Sequence, residues 1–274
     1  MTLDQKAQKL QSLLREMGSV AIAYSGGVDS ALVLAAAHSV LGKNAVAVTA
    51  DSASLARREL NTAGRLAEKL GADHRVLSTH EMASPDYTAN PVNRCYHCKS
   101  ELYSQLRRLA DERGLKHLVN GTNLDDLGDH RPGLAAAREY GVLSPLCDAG
   151  MSKQDVRDLA RQWGLPVWDK PAMPCLSSRI PYGDAITIEK LAMIERAEDY
   201  LVSLGFRQLR VRHLGESARI ELLQDDLPRF YREKLFDGVR RHFREIGFTD
   251  VVVDPRGFQS GRLNEAIPSA SGSQ

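Results

Sequence analysis

Residues 20–30 read Val20-Ala21-Ile22-Ala23-Tyr24-Ser25-Gly26-Gly27-Val28-Asp29-Ser30, and helix formers from Ala31 to Ala37 follow them. An apolar run, two glycines and a helix start constrain this chain more than any other segment. The pattern predicts a buried strand that turns sharply into a helix. Glycines at the turn let a ligand approach the backbone where any Cβ would block it. The Ser25 and Ser30 hydroxyls and the first N–H groups of the helix then act as donors, and the helix dipole favours an anion. A Walker loop would place a lysine after its second glycine to reach the outer phosphates; here Val28 and Asp29 follow Gly27. A lysine-free cradle suits pyrophosphate as a leaving group better than transfer of a terminal phosphoryl. The competing reading is a plain glycine turn.

The remaining composition narrows the class. Across 274 residues, 36 Lys and Arg oppose 35 Asp and Glu, so no global basic field exists to attract nucleic acid. Residues 1–17 alternate charges with leucines and contain no apolar core of a signal peptide, and no stretch reaches membrane-spanning length. The expectation is a cytoplasmic enzyme without membrane or nucleic-acid partners. Four cysteines include the pair Cys95-Tyr96-His97-Cys98; without a secretory signal this favours metal or redox chemistry over disulfides.

Strands are predicted at 19–24, 45–49, 74–78 and 117–120, and helices at 2–17, 30–41, 54–70, 98–113 and 152–163. This alternation predicts an α/β domain over residues 1–165 with a parallel sheet covered on both faces, its ligand at the carboxyl ends of the strands. Residues 166–184 are an irregular loop and linker; with Leu165 they span four of the eleven prolines. A smaller α+β domain is expected over 185–267, with helices near 187–204 and 227–246 and strands near 208–213, 217–222 and 249–254. A Ser/Gly-rich tail, expected to be disordered, occupies 268–274.

Several loops carry candidate chemistry. Asp51 and Ser52 end the second strand, where a nucleotide's base or ribose would meet the sheet edge. After the fourth strand come Gly121, then Asp125, Asp126 and Asp129, then Arg131. The aspartates suit Mg²⁺, which prefers carboxylate oxygens, or equally the turn chemistry of Asx residues. Gly121 and Arg131 suit close approach to phosphates and pairing with them. Arg210 and Arg212 alternate along a strand and share a face, as do Arg219 and Glu221 on the next. Two parallel arginines can clamp a phosphate; a solvated hairpin face with cross-strand Arg–Glu pairs is the alternative. The loop from Lys170 to Gly183 adds the Cys175 thiol, the Ser177 and Ser178 hydroxyls and Arg179.

The SGGVDS loop resembles the PP-loop of N-type ATP pyrophosphatases. Together with Arg131-Pro132-Gly133-Leu134, Ser177–Gly183 (SSRIPYG), Leu209–His213 (LRVRH), Ala218–Leu222 (ARIEL) and Asp254–Arg262 (DPRGFQSGR), the chain resembles the LarE-type ATP-dependent sulfur transferases over residues 3–265. That resemblance implies adenylylation of the carboxylates of a pyridinium dicarboxylate mononucleotide by ATP and Mg²⁺, with pyrophosphate leaving. Sulfur from sulfide or another donor then gives the thiocarboxylate precursor of the nickel-pincer nucleotide. It implies ATP at Ser25, Gly26, Gly27, Asp29, Ser30, Asp51, Ser52, Gly121 and Arg131, with Asp29, Cys175 and Arg212 catalytic. The substrate phosphate is then held by Ser178, Arg179, Arg210 and Arg212. Some members sacrifice a cysteine at the position held here by Pro174. The set Cys95, Cys98 and Cys175 resembles instead the members that hold a 4Fe–4S cluster, and Cys-x-x-Cys spacing fits such ligation. A zinc site with His97, a redox pair and a single-use Cys175 donor are the competing readings. Cys147 is expected to be a small buried residue. The family tends towards homo-oligomers, and the leucines of 2–17 are expected to be exposed and available for such contacts. Cluster-dependent tRNA thiolation, an amidating synthetase and a non-catalytic nucleotide sensor are the other functions compatible with the loop.

Overall fold

The computed structural model describes residues 1–128, 132–259 and 262–263. It divides into two bodies: residues 1–81 with 93–173, and residues 82–92 with 174 onward.

In the first body, α1 (Leu3–Met17) precedes β1 (Val20–Ala23), α2 (Val28–Leu41), β2 (Ala45–Asp51), α3 (Arg57–Lys69) and β3 (Asp73–Ser78). The strands lie in the order β3-β2-β1-β4, with β4 at His117–Val119, and every pairing among them is parallel. The second body takes α4 (Pro85–Thr88), and the chain returns to the first with α5 (Arg94–Glu112), β4 (His117–Val119), α6 (Pro132–Glu139), α7 (Pro145–Asp148) and α8 (Lys153–Gln162). Period-two alternation decides the layers. Val20, Ile22, Ala45 and Ala47 point into one core with α1, α2 and α8. Ala21, Val46 and Val48 point into another with α5 and α6. An α/β fold with a parallel sheet covered on both faces is what the strand–helix alternation predicts.

The leucines of α1 differ from expectation. Leu10 and Leu14 are fully buried, and Leu3 and Leu13 pack against the same core. They recur at helical spacing because the helix packs into its own core, so they are not the exposed row the sequence led one to expect. The helix expected from residue 98 begins at Arg94, which places Cys95 and Cys98 inside its first turns.

In the second body, α9 (Ile188–Ser203), α10 (Leu227–Arg232) and α11 (Phe236–Ile246) surround a sheet of β5 (Leu209–Leu214), β6 (Ser217–Leu222) and β7 (Asp250–Val253). The order is β5-β6-β7, antiparallel between β5 and β6 and parallel between β6 and β7. The single helix expected over 227–246 is broken at Lys234, whose φ of 53° lies in the left-handed region that ends helices. Leu209, Val211, Ala218, Ile220 and Leu222 point into the core of this body. The opposite face therefore carries Arg210, Arg212, Arg219 and Glu221. Residues 268–274, expected to be a disordered tail, lie outside the described residues.

Candidate active site

The glycine turn connects β1 to α2 as the sequence predicts. Gly26 has a φ of +70°, and an added Cβ would lie 2.8 Å from the Ala63 Cβ of α3. Only glycine satisfies both demands. Gly27 is the N-cap of α2 with no side-chain cap, so the first N–H groups of that helix have no intrahelical acceptor. The Ser30 hydroxyl donates to the Gly27 carbonyl at 3.2 Å and accepts from the Ser25 N–H at 3.2 Å, which fixes the curl. Ser25 itself is exposed. A rigid loop presents backbone donors at a positive helix end, the requirement for holding a phosphate chain.

Asp29 stands in the first turn of α2 and is partly buried rather than on an exposed loop. One carboxylate oxygen accepts from Asn123 Nδ2 at 3.1 Å, and the other takes the Lys153 ammonium. Lys153 is the first residue of α8, and its backbone N–H donates to Asp125 at 2.9 Å. The absent loop lysine is thus matched by a lysine 124 positions from Asp29 in sequence. Lys170 adds a second cation, 3.3 Å from the Gly26 carbonyl and 2.8 Å from Glu59 of α3. Sequence reading gave no role to Asn123, Lys153 or Lys170, because the partners of each lie far off in sequence.

The acidic loop is ordered by its own aspartates. Asp126 accepts from the Asn123 N–H at 3.1 Å, and the Asp125 N–H donates to the Asn123 side chain at 3.0 Å. Asp129 and Arg131 lie outside the described residues. Gly121 sits against the helix end: an added Cβ would lie 2.7 Å from the Ser30 nitrogen and 3.0 Å from the Asp29 carbonyl carbon. Gly121→Ala is expected to displace that backbone and lower stability by about 1–3 kcal/mol, as overpacking does. Denaturant unfolding checks this, and an unchanged midpoint contradicts the close fit.

At the end of β2, Asp51 pairs with Arg57, whose guanidinium also takes the Ser52 carbonyl at 2.6 Å. Ser52 Oγ lies 2.9 Å from Ser54 Oγ and donates to the buried Glu81. Cys147 is half-buried, and its thiol donates to the Thr122 carbonyl at 3.2 Å. Burial, then the charges of Asp148 and Asp126, push that thiol up to about 11, so it stays protonated.

In the second body, Cys175 is half-buried at the start of a short 3₁₀ turn, residues 176–179. Arg179 is 1 % exposed, and its Nη1 donates to the Pro174 carbonyl (2.6 Å), the Cys175 carbonyl (3.1 Å) and Ser178 Oγ (2.9 Å). Its other nitrogens meet Glu198 of α9 at 2.8 and 3.1 Å. This guanidinium is spent on shaping the cysteine turn. Tyr87 and Asn90, from the segment 82–92, hold the same loop. Tyr87 OH lies 2.6 Å from Ser177 Oγ, and Asn90 Nδ2 donates to the Pro181 and Asp184 carbonyls at 2.6 and 3.0 Å. Asn90 is fully buried at a φ of 54°, a conformation asparagine tolerates.

The arginine face of β5 is buried rather than solvated. Arg212 Nη1 donates to the Ser178 carbonyl at 2.8 Å, and its Nε and Nη2 meet Glu221 at 3.1 and 2.9 Å. Arg210 lies over the Phe258 ring at 4.9 Å. Burial first, then the neighbouring Arg179, pull its guanidinium down to about 10. Within each body, among the described residues, no three His, Cys, Asp or Glu side chains gather as a metal site. No helix among them is long and apolar enough to cross a membrane.

Comparison with known proteins bears on these loops. Residues 7–97 match the asparagine synthase family model. An uncharacterized protein of Synechocystis is 48% identical over 97% of this chain and 99% of its own. Another uncharacterized protein, from Methanocaldococcus jannaschii, is 29% identical over 91% and 95%. The pyridinium-3,5-bisthiocarboxylic acid mononucleotide synthase of Lactiplantibacillus plantarum is 38% identical over 98% of this chain and 97% of its own. With that identity over nearly the whole length and a PP-loop parallel sheet beneath it, the chain belongs to the pyridinium-3,5-bisthiocarboxylic acid mononucleotide synthase family of ATP-dependent sulfur transferases.

Proposed function

We propose that this protein adenylylates the carboxylates of a pyridinium dicarboxylate mononucleotide with ATP and exchanges each adenylate for sulfur. A carboxylate oxygen attacks the α-phosphorus, pyrophosphate leaves, and a sulfur nucleophile then displaces AMP from the acyl carbon. The open N–H groups of α2 and the Ser25–Ser30 curl support binding of the ATP phosphates. Asp51, Ser52 and Gly121 complete the nucleotide site in this reading, with Arg131. Lys153 and Lys170 neutralise charge that builds on the departing pyrophosphate. Asp29 offers the hard oxygens that Mg²⁺ prefers, with Asp125, Asp126 and Asp129 as weaker candidates. When bound, the ion polarises the phosphates.

One observation carries the substrate assignment. Among the described residues of the second body, the buried guanidiniums are Arg179, Arg210, Arg212 and Arg262, and the buried carboxylates are Glu198, Glu221 and Asp254. Four cations face three anions. Burial holds His213, also enclosed there, towards its neutral form. A buried charge surplus is costly unless an anion meets it, and a phosphate monoester has the matching charge. Arg210, Arg212 and Ser178 hold that phosphate, and Arg179 fixes the turn beside them. Arg212 and Arg179 both bind carbonyls of residues 174–178, so the phosphate site and the Cys175 thiol belong to one piece of structure.

Arg212→Ala is expected to weaken the mononucleotide roughly tenfold or more, because a charge-assisted donor contributes about 1.5–3 kcal/mol. ATP affinity stays unchanged. Equal losses for both ligands contradict the assignment, and a gel-shift with tRNA would favour the thiolase alternative.

For sulfur supply, Cys95, Cys98 and Cys175 are proposed as ligands of a 4Fe–4S cluster. Three thiolates are a donor set that fits such a cluster. Both cysteine segments begin just after the chain passes between bodies, at 92/93 and 173/174. When bound, a cluster with one iron free of protein ligands supplies exchangeable sulfide. The protein is proposed to be a cytoplasmic homo-oligomer, on the family resemblance alone.

A further inference from the structure

The segment 254–262 stands out in the sequence, and its Asp254 and Arg262 do more than add to the buried charge. Its last arginine ends inside the charge cluster. Arg262 Nη1 donates to Glu221 Oε1 at 3.0 Å and to Asp254 Oδ2 at 2.7 Å, and its Nη2 donates to Gln259 Oε1 at 3.1 Å. Glu221, fully buried, divides its oxygens: Oε1 serves Arg262, and Oε2 serves the Nε and Nη2 of Arg212. Arg219 is a weaker contributor at the rim, 3.5 Å from Glu221 and 3.8 Å from Asp254, with 29% of its side chain exposed.

We infer that Arg262 is a positioning residue for the anion site, acting on Arg212 through the shared carboxylate of Glu221. This rests on the phosphate assignment given to Arg210 and Arg212. Two effects combine. Holding Oε1 fixes the carboxylate plane, so Arg212 meets Oε2 edge-on and keeps its Nη1 pointed at the Ser178 carbonyl of the cysteine turn. Arg262 also sets the sign of the cluster. Without it three buried arginines face three buried carboxylates, the surplus charge vanishes, and Glu221 is left with Arg212 and the rim Arg219 alone. A lysine keeps the charge but loses the fork that spans Glu221 and Asp254.

The test measures mononucleotide and ATP affinities of the full-length chain carrying Arg262→Gln, Arg262→Lys or Arg212→Ala, with melting temperatures alongside. Arg262→Gln is expected to weaken the mononucleotide roughly tenfold with ATP affinity unchanged, and Arg262→Lys to fall between it and the native protein. A purely structural residue would lower the melting temperature and both affinities together, and that result overturns the inference. If Arg262→Gln binds normally while Arg212→Ala does not, the inference fails and the anion site stands. If both bind normally, the anion site itself is wrong. Should Arg262→Gln not fold, Arg262→Lys decides: weaker mononucleotide binding at native ATP affinity supports the role, and native binding of both refutes it.

Discussion

Replacing Asp29 by alanine is expected to abolish pyrophosphate release from ATP, by about a hundredfold or more, the scale seen when one preorganised electrostatic group is removed from a reacting centre. The side chain stands in the first turn of α2, among the N–H donors proposed to hold the phosphates. Its two oxygens are held by Asn123 and Lys153, which fixes the carboxylate for the Mg²⁺ role proposed for it. Stability should change little. The Asp29 and Lys153 side chains are 23% and 33% exposed, and solvent screening leaves such a pair worth about 1 kcal/mol or less. Asp29→Asn separates charge from shape: it can still accept from Asn123, but it offers neither Mg²⁺ nor Lys153 a full charge. Both variants should therefore be folded and inactive. Pyrophosphate release at native rates in either would remove Asp29 from the chemistry.

The second large effect concerns Cys175. Cys175→Ala is expected to eliminate sulfur transfer while leaving adenylylation intact, because the phosphate cradle is built from residues of the other body. Parallel loss in Cys95→Ala and Cys98→Ala, each accompanied by loss of iron and acid-labile sulfide from anaerobically prepared protein, is the pattern of shared ligation. A different pattern marks a sacrificial thiol: only Cys175→Ala fails, the native protein stops after one turnover, and its mass falls by one H₂S as dehydroalanine forms. Native transfer by Cys175→Ala would contradict both routes.

What was legible in the sequence, and what was not, divides along physical lines. Val20-Ala21-Ile22-Ala23 and Ala45–Val48 gave strands because parallel strands buried on both faces are continuously apolar. The turn between β1 and α2 was legible because glycine requirements are local: Gly26 needs its positive φ whatever surrounds it. Gly121 was singled out for close approach to a phosphate, and the structure gives it a second neighbour. Its missing side chain makes room for the backbone of α2, a contact 91 positions away that no local pattern encodes. The arginines of β5 were legible as a face, but their burial was not. Segment 174–184, with residues 254–259 and 262, brings partners whose spacing carries no periodicity. Lys153 escaped notice for the same reason, and Arg262 was seen only as the end of a motif with no role attached, since each acts through a carboxylate far off in sequence. The leucines of α1 mislead in the opposite direction: helical spacing shows that a face is apolar but not what covers it.

The most direct test supplies anaerobically prepared protein with ATP, Mg²⁺, sulfide and the pyridinium dicarboxylate mononucleotide, and follows pyrophosphate, AMP and the mass of the mononucleotide together. One pyrophosphate and one AMP for each oxygen exchanged for sulfur is the result predicted here. ADP and inorganic phosphate as products, or pyrophosphate release with no sulfur entering the mononucleotide, would contradict it.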